Sequence, residues 1–203
     1  MTMIDSAIYY ASLGWHIFPL TDNQKVPREG SNGIDDATTD VERITSWWNT
    51  NPVANIAIAT GQVSNLTVID VDGQVGLDSY ETIVSQFPKG RTRVIKTPKG
   101  HHLYFQYNPA FHTGAGFLEG LDVRNDRGYV VAPPSVVNGT QYAVMPDRDT
   151  DPIHITVAPE VFKSRHRNGT EPKPAERPTW VSDLLTNGIA EGQRDQSATS
   201  LAG

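Results

Sequence analysis

The sequence predicts an α+β protein with an antiparallel sheet in its second half. Two patterns predict it. As far as Phe87, apolar residues recur by turns at helical and at strand spacing, whereas over 93–145 short strand-like runs are divided by turn residues. The 203 residues suffice for one domain with a remainder, and their 37% hydrophobic content excludes a wholly disordered chain. No apolar run approaches the ~18 residues of a membrane span, and residues 1–5 lack the basic start and apolar stretch of a secretory signal. A cytoplasmic protein with no membrane partner is expected.

The elements follow in order. A helix over 5–13 rests on Ile4, Ile8 and Ala11 and stops at Gly14, a residue suited to the left-handed position after a helix. A strand over 15–20 leads into a long loop, 21–36, rich in Gly, Pro, Asn and Asp. Thr39 and Glu42 have the spacing of a capping box for a helix through Trp48, which Asn51-Pro52 ends. One of the two Trp residues, Trp47 and Trp48, should pack on the core. Strands are expected at 55–59 and 66–71, and after Gly73 the residues Leu77, Tyr80, Val84 and Phe87 share a helical face. The strands of the second half fall at 93–96, 102–107, 121–124, 129–132 and 141–145, parted by Pro98-Lys99-Gly100, Asn125-Asp126-Arg127-Gly128 and Asn138-Gly139. Residues 163–178 hold seven charged side chains, and their only apolar side chain besides prolines is Ala175, which is the composition of a linker. A domain over 1–162 is therefore expected, then the linker, then a new apolar face over 179–203 at Trp180, Val181, Leu184 and Leu185.

Charge is distributed unevenly. The net −6 argues against a general nucleic-acid binder, yet 82–118 carries +5 and no acid, against −11 for the remainder. Its cations are Lys89, Arg91, Arg93, Lys96 and Lys99. A basic strip is expected there, with Lys89, Arg91 and Arg93 on a nucleic-acid backbone. The absence of Cys excludes disulfides, thiol nucleophiles and thiolate-held zinc, so a metal would be held by carboxylate, His or carbonyl groups, a donor set that favours Mg²⁺ or Mn²⁺.

Three motifs carry chemistry. Asp70 and Asp72 stand two apart at the end of an apolar strand, so both project from one face while Ile69 and Val71 point to the other. Paired anions repel unless a cation lies between them, and such carboxylates can share two divalent ions. Taken alone, the motif is equally a strand running into an acidic Asp72-Gly73 turn. Next, Thr97-Pro98-Lys99-Gly100-His101-His102 places a turn between two strands, able to offer backbone N–H groups, an ammonium and an imidazole to a phosphate. Adjacent histidines on a strand face opposite sides, so both do not easily ligate one ion. Finally, Asp122 opens a strand and can complete a three-carboxylate site, while Arg124 on the same face can neutralise a phosphate. By itself this is also a surface Asp-Arg pair.

In that order the motifs resemble the archaeo-eukaryotic primase superfamily, and most closely its bifunctional primase–polymerase (prim-pol) branch of plasmid and phage replication proteins. Gly14-Trp15-His-Ile-Phe-Pro19 followed by Lys25-x-Pro27, Trp47-Trp48, Asn55-Ile-Ala-Ile-Ala-Thr60-Gly61 and Gly128-Tyr-Val-Val-Ala-Pro-Pro-Ser135 look like that branch too. The resemblance covers about 4–162. It implies an RRM- or ferredoxin-like mixed-sheet catalytic core with an N-terminal α/β subdomain, flanked by helices. The activity implied is DNA primase and DNA polymerase, a template-dependent nucleotidyl transfer using two Mg²⁺ or Mn²⁺ ions and no zinc. Asp70, Asp72 and Asp122 match the family's metal-binding acids, and His102 matches its phosphate-contacting His. Lys99 and Arg124 would join His102 on the nucleotide. The partners implied are single-stranded DNA template, primer and NTP or dNTP, in the cytoplasm of a prokaryotic host, from a phage or plasmid. Residues 189–203 look like the opening of a helical segment that precedes a helicase in longer members.

Two rivals make different predictions. A haloacid-dehalogenase-type phosphohydrolase also opens on a strand ending in D-x-D-G and would use Asp126 with Asp122, but it needs a doubly wound parallel sheet. A non-catalytic replication-origin module would bind DNA sequence-specifically without metal and gives no reason for three converging acids.

Overall fold

The computed structural model describes residues 1–83 and 92–146 and the backbone of 156–157. In chain order its main elements begin with α1 (Met3–Ser12), β1 (Ile17–Leu20), α2 (Val41–Thr50), β2 (Asn55–Ala59), β3 (Leu66–Asp72) and α3 (Gly73–Ile83). There follow β4 (Val94–Lys96), β5 (Gly100–Gln106), β6 (Gly114–Leu118), β7 (Leu121–Arg124), β8 (Tyr129–Ala132), β9 (Val136–Val137), β10 (Thr140–Gln141), β11 (Ala143–Val144) and β12 (Thr156–Val157). The chain is thus mixed α+β, as expected. None of the described helices is long and apolar enough to cross a membrane.

Both helix starts differ from the sequence reading, and both for capping reasons. α1 begins two residues early because Thr2 and Asp5 cap it reciprocally: the Thr2 hydroxyl accepts from Asp5 N–H at 3.2 Å and the Asp5 carboxylate accepts from Thr2 N–H at 2.9 Å. At α2 the expected Thr39–Glu42 box is replaced by Asp40, whose Oδ1 accepts from Glu42 N–H at 2.9 Å and Arg43 N–H at 3.2 Å. Trp48 is the Trp that enters the core, donating its Nε1–H to Ala54 O at 2.9 Å. Trp47 stays half-buried beneath the Arg43 guanidinium, 4.8 Å from its ring centroid.

Two sheets stack across one core. The smaller has the order β1-β2-β8, all antiparallel. The larger, seven-stranded, runs β11-β4-β5-β3-β7-β6 with β12 beside β5, and only the β12–β5 pairing is parallel. Val68, Ile95 and Tyr104 on one face of the large sheet pack with Ile17, Phe18, Ile56, Ile58 and Val131 of the smaller sheet and Trp48 of α2. The opposite face carries Ile69, Val71, Leu103, Phe105, Leu121 and Val123 and is covered by Leu77, Tyr80 and Ile83 of α3. The period-2 alternation of β3 therefore feeds two cores at once.

The β9–β10 hairpin turns at Asn138 and Gly139, both at positive φ (50° and 75°), as that dipeptide foretells. β6 escaped the sequence reading because Gly114-Ala115-Gly116 has no strand propensity. Val84, Phe87, Lys89, Arg91, the linker 163–178 and the segment 179–203 lie outside the described residues.

Candidate active site

β3 is the central strand of the site. Its antiparallel register with β5 and β7 sets Asp70 opposite His102 on one side and opposite Asp122 on the other, a row of three across adjacent strands. Asp72, two residues on and on the same face, stands opposite Gly100. That glycine is obligatory: a Cβ there would lie 1.9 Å from Val71 O. The turn before β5 is docked on the end of β3, with Gly73 N–H donating to Lys99 O at 2.8 Å.

Contacts within the row are specific. His102 Nε2 lies 3.4 Å from Asp70 Oδ1, beyond a strong hydrogen bond, and the His102 ring centroid is 5.7 Å from that of Tyr142. Asp122 Oδ1 accepts from Gly116 N–H at 3.0 Å and its Oδ2 accepts from Arg124 Nη2 at 3.0 Å. Burial holds the Asp70 carboxyl above the usual carboxylate range, with Arg124 and Lys25 pulling the other way and Asp122 adding to the rise. Burial also raises Asp72, and the neighbouring Asp70 raises it further. The same desolvation drives His102 down from 6.5 to about 3, so its imidazole is neutral at physiological pH.

The row brings together Asp70, Asp122 and His102, with Asp72 beside it and Arg124 attached through Asp122. It does not gather the acids as tightly as the motifs suggest. Among the described residues, no group of three or more His, Asp or Glu side chains stands close enough to hold a metal ion, and both Asp122 oxygens are turned to Gly116 and Arg124. The donor chemistry nonetheless fits a hard divalent cation: ionisation of Asp70 is opposed by burial and by Asp122, and that of Asp72, at the exposed end of β3, by desolvation and by Asp70, a cost that a cation would offset.

Other expectations are corrected. The N–H groups of Lys99 and Gly100 are not offered to a phosphate, because Thr97 Oγ1 accepts them at 3.3 and 3.0 Å; Lys99 presents only its exposed side chain. Arg93 is 4% exposed, and its carbonyl accepts from Tyr104 N–H at 3.0 Å, so it belongs to the interior and not to an open basic strip. Lys89 and Arg91 lie outside the described residues. His101 faces away from the row, opposite Val71 and Lys96, as strand alternation requires, and is buried.

Two residues were not assigned to the site from the sequence. Tyr142, fully buried against His102, left no local signal. Lys25 lies in the 21–36 loop, yet its charge acts on Asp70, Asp72 and His102 alike. The Lys25-x-Pro27 pattern was its trace in the sequence.

The parallel-sheet rival is overturned by β3, which is antiparallel to both its neighbours. Asp126 is a brace outside the row, its Oδ1 accepting from Gln62 N–H and its Oδ2 from Tyr107 O–H, each at 2.9 Å. None of the curated proteins matches the chain. The family model of the bifunctional DNA primase/polymerase N-terminal domain, Prim-Pol, matches residues 7–161, and the chain belongs to that family.

Proposed function

We propose that this chain is a template-dependent nucleotidyltransferase that synthesises primers on single-stranded DNA and extends them, acting as DNA primase and DNA polymerase in replication. Family membership implies primase/polymerase activity in general. The observation that carries the finer reading is the cross-strand row Asp122–Asp70–His102 with Asp72 on the same face. Asp70, Asp72 and Asp122 would hold Mg²⁺ or Mn²⁺. Bound there, a divalent pair supplies a lowered pKa for the primer 3′-hydroxyl and offsets charge developing on the α-phosphate.

The remaining work falls to the side chains. Neutral His102 donates one N–H to a phosphate oxygen and positions it without adding charge. Arg124, fixed by Asp122, and Lys99 at the rim offset the charge of the triphosphate. Lys89 and Arg91 are assigned to the template path.

The RRM/ferredoxin-like reading of the core is supported by the strand order β4-β5-β3-β7, with α3 joining β3 to β4 and β5 lying between them. A catalytic domain over 1–162 is supported by the family match to 7–161. The segment over 163–178 is a linker in this reading, and 179–203 leads toward helical and helicase domains of a replication protein working in a prokaryotic cytoplasm.

Incubation with single-stranded template, labelled nucleotides and Mg²⁺ or Mn²⁺, followed by sizing of the products, tests the reading. A metal-dependent ladder is expected. Sequence-specific binding without products, unaffected by chelation, would replace the enzyme with an origin-binding module.

A further inference from the structure

His102 is buried, yet no strong hydrogen bond fixes its ring. Its Nε2 stands 3.4 Å from Asp70 Oδ1, and its Nδ1 has no hydrogen-bond partner among the described residues. Ile95, which faces it from β4, is aliphatic. A functional imidazole is ordinarily aimed by a hydrogen bond at the nitrogen it does not use, because the Cβ–Cγ torsion of histidine is soft. Here the aim has to come from packing.

The ring of Tyr142 lies against it. The two ring centroids are 5.7 Å apart with their planes at 51°, within the range of tilted aromatic pairs. Tyr142 is fully buried, and its backbone is held from outside the large sheet: its N–H donates to Ser135 O at 2.8 Å. Ser135 is itself buried, with its Oγ accepting from Ile56 N–H of β2 at 2.8 Å, and the next residue, Val136, donates its N–H to Asn55 Oδ1 at 3.0 Å. On its other side the chain enters β11 directly, and Ala143 and Val144 pair with β4, the neighbour of β5. Tyr142 thus leans on His102 from a base tied both to the smaller sheet and to the strand beside β5. We propose that Tyr142 is a positioning residue, whose ring fixes the orientation in which the His102 imidazole donates to a phosphate oxygen of the incoming nucleotide. This assignment rests on the nucleotidyltransferase reading above; Tyr142 acts through His102 and not on the substrate.

The test uses the full chain as wild type, Tyr142→Phe, Tyr142→Leu, His102→Gln and the double variant Tyr142→Leu/His102→Gln, each studied well below its melting temperature. A fluorescent deoxynucleoside triphosphate is titrated in Mg²⁺, and primer extension is measured separately. Tyr142→Phe keeps the ring and should bind within about twofold of wild type, whereas Tyr142→Leu should bind about tenfold weaker and raise the nucleotide KM more than it lowers kcat. In the His102→Gln background, Tyr142→Leu should cost less than about twofold, because the residue it acts through is gone; a merely structural role costs the same in both backgrounds. One measurement needs no variant: in proton NMR spectra of the wild type, the carbon-bound ring protons of His102 should show Overhauser contacts to the Tyr142 ring with and without triphosphate, and should shift when it is added. The proposal is overturned by wild-type binding in folded Tyr142→Leu, by equal losses in Tyr142→Phe and Tyr142→Leu, by an undiminished loss in the double variant, or by absence of the contacts or of the shift. The expected binding pattern in a protein that extends no primer would leave this assignment standing and remove the polymerase reading. Normal primer extension by a wild type whose triphosphate binding ignores Tyr142 would do the reverse.

Discussion

Asp70 and His102 face each other across β3 and β5 with Nε2 3.4 Å from Oδ1, and burial pushes both away from charge, the carboxyl upward and the imidazole down to about 3. At neutral pH their contact is therefore not an ion pair. The imidazole is neutral and its polar edge is a hydrogen-bond donor or acceptor, while burial disfavours a charge on the carboxyl. Function and stability pull against each other at this pair.

That opposition sets the outcome for Asp70→Asn. The change keeps the shape and removes an anion whose ionisation burial opposes. A group with a raised folded pKa contributes stability at low pH and loses it as pH rises through that value, so ionised Asp70 weighs against folding at neutral pH. Thermal melts should show Tm at neutral pH unchanged or higher, while primer extension falls at least about a hundredfold. Retention of full extension would remove Asp70 from the site.

His101 gives the pH dependence of stability. It is 3% exposed, neither ring nitrogen has a hydrogen-bond partner among the described residues, and burial lowers its pKa from 6.5 to about 4. A depressed His pKa means that the unfolded chain takes up the proton first, so stability is lost as pH falls from about 6.5 toward about 4. The loss from this residue approaches about 3 kcal/mol at the acid end. Urea melts of His101→Phe between pH 4 and 7 should show a flatter acid limb than wild type; an identical limb would mean that the ring protonates without cost.

Asp126→Asn separates the site from its scaffold. Its carboxylate braces Gln62 N–H and the Tyr107 hydroxyl and touches nothing in the row. Extension should stay within about twofold of wild type, with Tm lower by about 2–4 °C from the weakened brace. Loss of activity at unchanged Tm would draw Asp126 into the chemistry.

Gly100→Ala probes the seam between the turn and β3. A Cβ at 1.9 Å from Val71 O forces the two strands apart where Asp72 is anchored by its N–H to Gly120 O at 2.8 Å. Destabilisation of about 3 kcal/mol or more is expected, and extension should fall even at temperatures where the variant is folded. Wild-type stability would show that the turn relaxes freely.

What was legible in the sequence depended on range. The shared face of Asp70 and Asp72 and the opposed faces of His101 and His102 follow from strand alternation, which is local, and the structure keeps them. The antiparallel character of the second half was written in its turn residues, as at Asn138-Gly139. Cap positions slipped because Thr39 and Asp40 are both competent caps and only the backbone path chooses between them. Arg93 was misjudged because a charge count says nothing about which cations the fold takes inside. Tyr142 reaches the row through space, from between β10 and β11, 40 residues after His102, and nothing in its neighbours announces the destination.

The double use of β3 has a consequence for how the chain finds its fold. Its apolar residues serve cores on opposite sides of one sheet, so apolar burial alone discriminates weakly between registers. A slip of one residue against β5 would turn Asp70 and Asp72 toward the Leu77–Tyr80–Ile83 layer and bring Ile69 and Val71 onto the face that carries Asp122 and His102. Burying two unpartnered carboxylates there is far more costly than exposing two aliphatic side chains. The acids assigned to chemistry thus also proofread strand pairing, and replacing both with apolar residues should leave a protein that folds into mixed registers.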